Sequence, residues 1–329
     1  MSLSSGTFSF SSTGAFSYVA GRVNQKWTLA WANDAGAVQP LAIAPGAYYT
    51  PRVSPDGHLI ALSVDGDRGQ DIFVYDIDRD TMTRLTFTGE GNLWPVWAPD
   101  GKHLVFTSRN AGGGHLWWTP IDGTSQPAPL LTSRNSIRQI AISSDGRYVG
   151  DTEQDPETGS DLWILPLDVS DPNAPRPQAP NALARTPANE GVPAFSPDGR
   201  WLASISDELG PWDIWVQPFP GLKGRWQVSA GDAGTPILWS RTRPELLYAG
   251  ARVPYVVEGD RFVPGKRVRL VLPRGHLAPP GVEMMDLAPD GARFLIQPEI
   301  DSPPPGASGR VTFLVNFFDQ LRRVAPPGK

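Results

Sequence analysis

Short apolar runs alternate with polar turn words along the chain. Residues 53–62, VSPDGHLIAL, set the turn SPDG between two apolar stretches. Nearly the same words return as WAPDGKHLVF (97–106), ISSDGRYVG (142–150), FSPDGRWLAS (195–204) and LAPDGARFLI (287–296). The chemistry of the word is local. Proline presets φ for the turn, aspartate bonds its own backbone two residues on, and glycine takes the position with φ > 0. Each word therefore predicts a tight turn between two strands.

The words are evenly spaced. Their last residues are Gly14 (SSTG), Gly57, Gly101, Gly146, Gly199, Arg243 (SRTR, degenerate) and Gly291, with gaps of 43, 44, 45, 53, 44 and 48 residues. The longest gap holds DVSDPNAPRPQAP (168–180), which reads as a proline-rich surface insertion. A period of about 40–45 residues is that of propeller blades. Within each period strand a precedes the turn and strand b follows it. Strand c carries an aromatic in Asp71-Ile72-Phe73, His115-Leu116-Trp117, Asp161-Leu162-Trp163 and Asp213-Ile214-Trp215. From turn glycine to aromatic the distance is 16, 16, 17 and 16 residues, and Trp31 follows Gly14 by 17. Strand d closes the unit. The aromatic is large enough to fill the wedge between neighbouring blades, and blades that cannot bury both faces alone stack into a ring.

The expected fold is thus all-β, a single β-propeller domain over 1–329 built of four-stranded blades. Seven turn words favour seven blades, roughly 8–44, 49–87, 94–132, 137–185, 192–229, 235–272 and 283–320. Six remains the alternative if the divergent stretch 235–272 is read differently. The seventh unit has no clear outer strand, and residues 1–5 are one source for it. Helical periodicity competes only at FFDQLRRV, near the end.

Composition narrows the function. The net charge is −5 and no basic run of five or more residues occurs, which argues against a nucleic-acid or anionic-membrane surface. No stretch approaches the ~18 apolar residues of a membrane span. The start, MSLSSGTFSFSSTG, lacks the basic and apolar regions of a signal peptide. The expectation is a soluble chain without its own secretion signal, which fits a domain cut from a longer protein. The absence of cysteine excludes disulfides, thiolate nucleophiles and cysteine-ligated zinc.

The repeated [SA]-[PS]-D-G, strand, [DH]-[IL]-[FW] pattern resembles the TolB-like β-propeller repeat, a relative of WD repeats, over almost the whole chain. FSFSSTGAFSYVAG, RWQVSAGDAGTPILWS and VTFLVNFFDQLRRVAPPGK look like the propeller at the C-terminal end of bacterial receptor-like serine/threonine kinases. That resemblance implies an extracytoplasmic, periplasmic sensing or protein-binding module. No kinase motif is present, and no G-x-S-x-G elbow of a peptidase partner.

In this strand order the a–b turns lie on one face, and the b–c and d–a loops on the other, around the channel mouth. The turn aspartates are turn formers. The d–a loops bring Asn92, Asn135, Glu190, Asp232 and Glu283 towards one axis in repeat alignment. Calcium takes six to eight oxygens from such groups. A channel-centred calcium of the kind used by propeller lactonases and organophosphate hydrolases would polarise a carbonyl or phosphoryl oxygen, with Glu190 or Asp232 as the carboxylate partner. The structural alternative is that these residues cap turns and Glu190 faces channel water. The four histidines lack zinc spacing, and His276 alone falls near the mouth. Tyr48, Trp94 and Trp212 sit beside acidic b–c loops, as a rim for a protein, peptide or small-molecule ligand requires. Two functions follow: a binding module at the loop-bearing face, and a metal-dependent ester, lactone or phosphotriester hydrolase in the channel mouth.

Overall fold

A computed structural model of the chain describes residues 8–10, 16–19, 26–87, 91–110, 113–221, 223–270, 285–298 and 311–314. FFDQLRRV, His276, Glu283 and residues 1–5 lie outside them. The chain divides into two compact units, Met1–Lys26 with Ile300–Lys329, and Trp27–Glu299.

Every turn word within the second unit opens a blade. Blade 1 runs Tyr48–Val53, Leu59–Gly66, Gly69–Asp76 and Thr81–Arg84 as strands a to d. Blade 2 is Leu93–Trp97, His103–Asn110, Gly113–Pro120 and Ala128–Ser133. Blade 3 is Ser136–Ile142, Tyr148–Asp155 and Gly159–Asp168, its outer strand split into Arg176–Pro177 and Asn181–Ala184 by the proline-rich insertion. Blade 4 is Glu190–Phe195, Trp201–Ser206, Asp213–Pro218 and Trp226–Gln227. Blade 5 is Leu238–Trp239, Glu245–Tyr248 and Ala251–Glu258, with Arg261–Pro264 and Val268–Arg269 both on the outer side.

Blade 6 corrects the count of seven. Met285–Leu287 and Arg293–Ile296 supply strands a and b, and Ala30–Asn33 and Val38–Pro40, from the other end of the unit, supply c and d. The described residues therefore form six four-stranded blades. The repeat that begins at Gly14 and the one that ends after Gly291 are halves of one blade. Trp31 lies on strand c of the last turn word, one position beyond the place held by Phe73, Trp117, Trp163 and Trp215, so its spacing from Gly14 is a coincidence. Closing the ring with strands from both ends hides the hydrogen-bonding edges that an open sheet would present. Val311–Leu314, read as the third strand of a seventh blade, pairs instead with Phe16–Val19. Phe16–Val19 also pairs with Phe8–Phe10, completing a separate three-stranded sheet in the other unit.

The turn word behaves as its chemistry predicts. In blade 1 the Asp56 carboxylate accepts from Ser54 Oγ (2.5 Å) and the His58 amide (3.1 Å), while Ser54 Oγ accepts from the Leu59 amide (2.9 Å). Ser143 with Asp145, and Ser196 with Asp198, repeat this. Gly57, in the left-handed region at φ 85°, is where the strand reverses. On strand c the fully buried position is the aliphatic before the aromatic: Ile72, Leu116, Leu162 and Ile214. Phe73, Trp117, Trp163 and Trp215 are half-buried. Arginines lie over three of the strand-c rings, Arg84 at Phe73, Arg225 at Trp215 and Arg293 at Trp31, 4.3–6.0 Å from the ring centroids.

The strand-c polar residue clips blades 1, 2 and 4 to their outer strands. In blade 4, Ser229 Oγ donates to Asp213 Oδ1 (2.9 Å) and accepts from the Ile214 amide (2.8 Å). In blade 1, Thr86 Oγ1 does the same with Asp71 (2.6 Å) and the Ile72 amide (2.9 Å). His115 and Thr132 are the blade 2 version, at 3.2 Å.

Candidate functional site

Strand a carries a second repeat inside the first. Six residues before the end of the turn word stand Pro51, Pro95 and Pro193, with Ile140 in blade 3 and Ile237, next to Pro236, in blade 5. The residue before each of the first three prolines, and before Ile140, is in the left-handed region: Thr50, Trp94, Val192 and Gln139. The register of strand a against strand b slips at each of these points. These are β-bulges, which bend a strand and re-aim its side chains. They separate a channel-lining half of strand a from an entry half near the d–a loop.

The channel-lining halves of all six blades surround a cavity of about 460 Å³ at the turn-word end. Its charged wall groups are Arg52, Arg241 and Asp286. Asp286 accepts from the amides of Val53 (2.7 Å) and Leu287 (2.9 Å). Burial pushes its carboxyl up, and the Arg52 charge pulls it back.

The entry halves build a different site. One position before the left-handed residue stand Tyr49, Leu93, Arg138 and Gly191, and in blade 5 Gly234 precedes Thr235, which holds the same place. The two glycines leave open the space where blades 4 and 5 meet the edge of blade 3. A Cβ on Gly191 would meet Thr152 at 2.7 Å, and one on Gly234 would meet the Ala249 Cβ at 2.8 Å. The result is a cavity of about 380 Å³ on the loop-bearing face. Val192, Ile205, Trp212, Ala233 and Ala249 form its apolar wall, and Arg138, Thr152, Gln154, Ser160 and Glu190 its polar one.

Glu190 occupies a position that is core in other blades. Its equivalents, nine residues before the end of the turn word, are Tyr48, Asn92 and Ile137, all buried. Glu190 is only 2% exposed. Its Oε1 accepts from the Thr186 hydroxyl, and its Oε2 has no hydrogen-bond partner among the described residues. Burial pushes the carboxyl up, the Thr186 bonds oppose this, and the Asp161 charge adds to it. Trp212, 40% exposed, stands in the same cavity wall, and Leu209, also exposed, precedes it on the b–c loop.

The structure thus brings Glu190 and Trp212 together. The other candidates have separate engagements. Asn92 donates to Asp71 (3.0 Å) and Thr86 (3.2 Å), so it belongs to the blade 1 clip. Asn135 donates to Glu153 (3.2 Å) and Asp155 (3.4 Å), beside a cavity of about 550 Å³ that also holds Arg185 and Trp163. Asp232 is exposed and paired with Arg267. Asn92 and Glu190 stand nine residues before the ends of their turn words and Asn135 and Asp232 eleven, so the latter two lie in the d–a loops ahead of strand a. The described residues contain no group of three or more His, Asp or Glu placed to hold a metal ion. Tyr48 is core, 5% exposed, its hydroxyl donating to the Ala44 carbonyl at 2.5 Å. Trp94 is half-buried at its bulge against the blade 2 and 3 core. Sequence reasoning passed over Arg138, although a lone arginine aligned with Tyr49, Leu93, Gly191 and Thr235 was visible in SRNSIRQ. Nothing in the sequence marked the fully buried Asp151, because only packing shows that its oxygens meet no partner.

Fold and site together define a TolB-like β-propeller with a ligand-sized cavity on its loop-bearing face. Residues 11–168 match the TolB beta propeller domain family. An uncharacterized protein of Agrobacterium fabrum, Atu1656, is 40% identical over 73 residues, 22% of this chain and 25% of the relative. The Tol-Pal system protein TolB of Helicobacter pylori is 24% identical over 165 residues, 50% of this chain and 38% of the relative. The chain thus matches well under half the length of these curated relatives. The solved structure of a protein assigned as TolB from Agrobacterium tumefaciens superposes with a TM-score of 0.60 at 15% identity, covering 84% of this chain and 99% of that one. At that identity the likeness is one of fold.

Proposed function

We propose that the chain is a binding module that recognises a small molecule or a peptide segment in the 380 Å³ cavity between blades 3, 4 and 5. One observation carries this reading: Trp212, an exposed ring, and Glu190, a buried carboxyl with an unpartnered oxygen, line one cavity. Small-molecule sites combine an apolar lining with a few placed polar groups. An exposed aromatic at the rim supplies contact area at low entropic cost. The resemblance to TolB-like repeats supports a role in protein interaction and a location outside the cytoplasm. Among the described residues no helix is long and apolar enough to cross a membrane.

The test is saturation-transfer NMR on purified protein with a mixture of small amines, carboxylates, amides and sugars. Transfer to at least one fragment, lost in Trp212→Ala at unchanged Tm, is the expected result. No transfer to any fragment, or transfer equal in the variant, overturns the reading. A parallel screen of lactones, aryl esters and phosphotriesters with calcium and with chelator addresses the hydrolase. Turnover lost on chelation and in Glu190→Gln would replace binding by metal-assisted hydrolysis.

A further inference from the structure

Glu190 Oε2 has no hydrogen-bond partner among the described residues, and although the Arg225 charge favours its ionised form, the neighbouring arginines are bonded elsewhere. Arg225 is engaged by Glu208 at 2.7 Å, and Arg185 by Asp155 at 3.1 Å and Asp161 at 3.5 Å. Arg138 lines the same cavity but makes no ion pair with Glu190. A buried carboxylate without a partner is costly, and a cation brought by a ligand would relieve that cost.

We propose that the cavity holds a primary ammonium group carried on an apolar body, with Glu190 Oε2 as its counter-charge. The inference rests on the binding reading above and specifies its ligand. The geometry selects among cations. A guanidinium binds a carboxylate best through two parallel bonds, and Thr186 already occupies Oε1. One free oxygen suits the point charge of an ammonium. The side-chain oxygens of Thr152, Gln154 and Ser160 line the same wall as further acceptors. A hard metal ion would need six or more oxygens, whereas most of the other lining residues are apolar. Val192, Ile205, Ala233 and Ala249 take the apolar body, and the Trp212 face covers it at the mouth. Arg138, exposed on the same wall, disfavours a second positive charge.

The ammonium has two chemical sources, the α-amino group of an N-terminus and a lysine side chain. The experiment titrates leucinamide, N-acetyl-lysinamide and the neutral N-acetyl-leucinamide into the full chain, read by tryptophan fluorescence and calorimetry. At least one ammonium probe should bind tenfold or more tighter than the neutral one. That advantage should vanish in Glu190→Gln, an isosteric change whose fold is checked by Tm. Trp212→Ala should weaken every probe without altering the selectivity. Leucinamide binding alone assigns an N-terminus, and N-acetyl-lysinamide binding alone a side chain. Equal binding of the neutral probe, or an advantage that survives Glu190→Gln, overturns the ammonium assignment and leaves the binding reading intact. Silence from all three probes overturns it too. The fragment NMR then shows whether the cavity binds anything, and its silence removes both.

Discussion

Trp31 stands opposite Leu295 in adjacent strands of blade 6, although the two lie at opposite ends of the propeller unit. Leu295 is fully buried, in a cluster that includes Leu29, Trp31, Ile60 and Leu62. The contact joins the two ends of the ring to blade 1, so it closes the longest loop in the unit. Leu295→Ala should cost about 2–5 kcal/mol, by lost transfer energy and the cavity left behind. Urea denaturation followed by fluorescence checks this, and a loss below ~1 kcal/mol would mean that ring closure does not depend on this seam.

The blade clips predict a graded series. Ser229→Ala removes the donor to Asp213 and leaves the Ile214 amide without its acceptor. The expected cost is ~1–3 kcal/mol, that of an unsatisfied buried group. Ser229→Thr should be tolerated, since threonine fills the same place in blade 1 as Thr86. If both substitutions prove equally harmful, side-chain volume and not the hydroxyl is what blade 4 requires.

Asp151 makes stability depend on pH. It is 0% exposed, neither carboxylate oxygen has a hydrogen-bond partner among the described residues, and burial followed by the Glu153 charge pushes its carboxyl well above the usual range. A raised folded pKa means that the native state holds a proton that the unfolded state releases. Stability from this group is therefore complete below the ordinary aspartate range and is lost as pH rises through the folded value. Asp151→Asn should match the parent near pH 4 and exceed it at pH 7–8 by ~1 kcal/mol or more, a few degrees in Tm. A Tm difference that stays constant with pH would show that the carboxyl does not titrate on folding.

Proton uptake and ligand binding should be linked at Glu190. Burial raises its carboxyl, with Asp161 on the same side of the balance and the Thr186 bonds and Arg225 against it. Arg138 also lines the cavity. A cation bound at Oε2 favours the charged form and lowers the pKa. Ammonium binding should thus weaken as pH falls and release protons at pH values below the raised pKa. Calorimetry in two buffers of different ionisation enthalpy measures this, and a proton count of zero from pH 4 to 7 would contradict it.

Arg138 supplies the last expectation. Arg138→Ala touches an exposed side chain without an ion pair, so Tm should move by no more than ~0.5 kcal/mol equivalent. Affinity for a doubly charged probe such as lysinamide should rise, because one repulsion is gone. A fall in that affinity would mean that the arginine contacts the ligand directly.

The sequence by itself determined the blade. SPDG, the strand-c Asp-Ile-Phe triplet and their spacing act through turns, caps and alternation, all set within a few residues, so their structure was legible word by word. The blade number was not. Trp31 satisfies the spacing from Gly14, and only pairing between Ala30–Asn33 and Arg293–Ile296 shows that its strand serves the turn word of Gly291. The site was likewise decided in three dimensions. Asn92, Asn135, Glu190 and Asp232 look alike in repeat alignment, yet in the fold each meets different partners: Asp71 and Thr86, Glu153 and Asp155, Thr186, and Arg267. Glu190 became the centre of the candidate site because Gly191 and Gly234 withhold side chains beside it, and because among the described residues none is hydrogen-bonded to its Oε2.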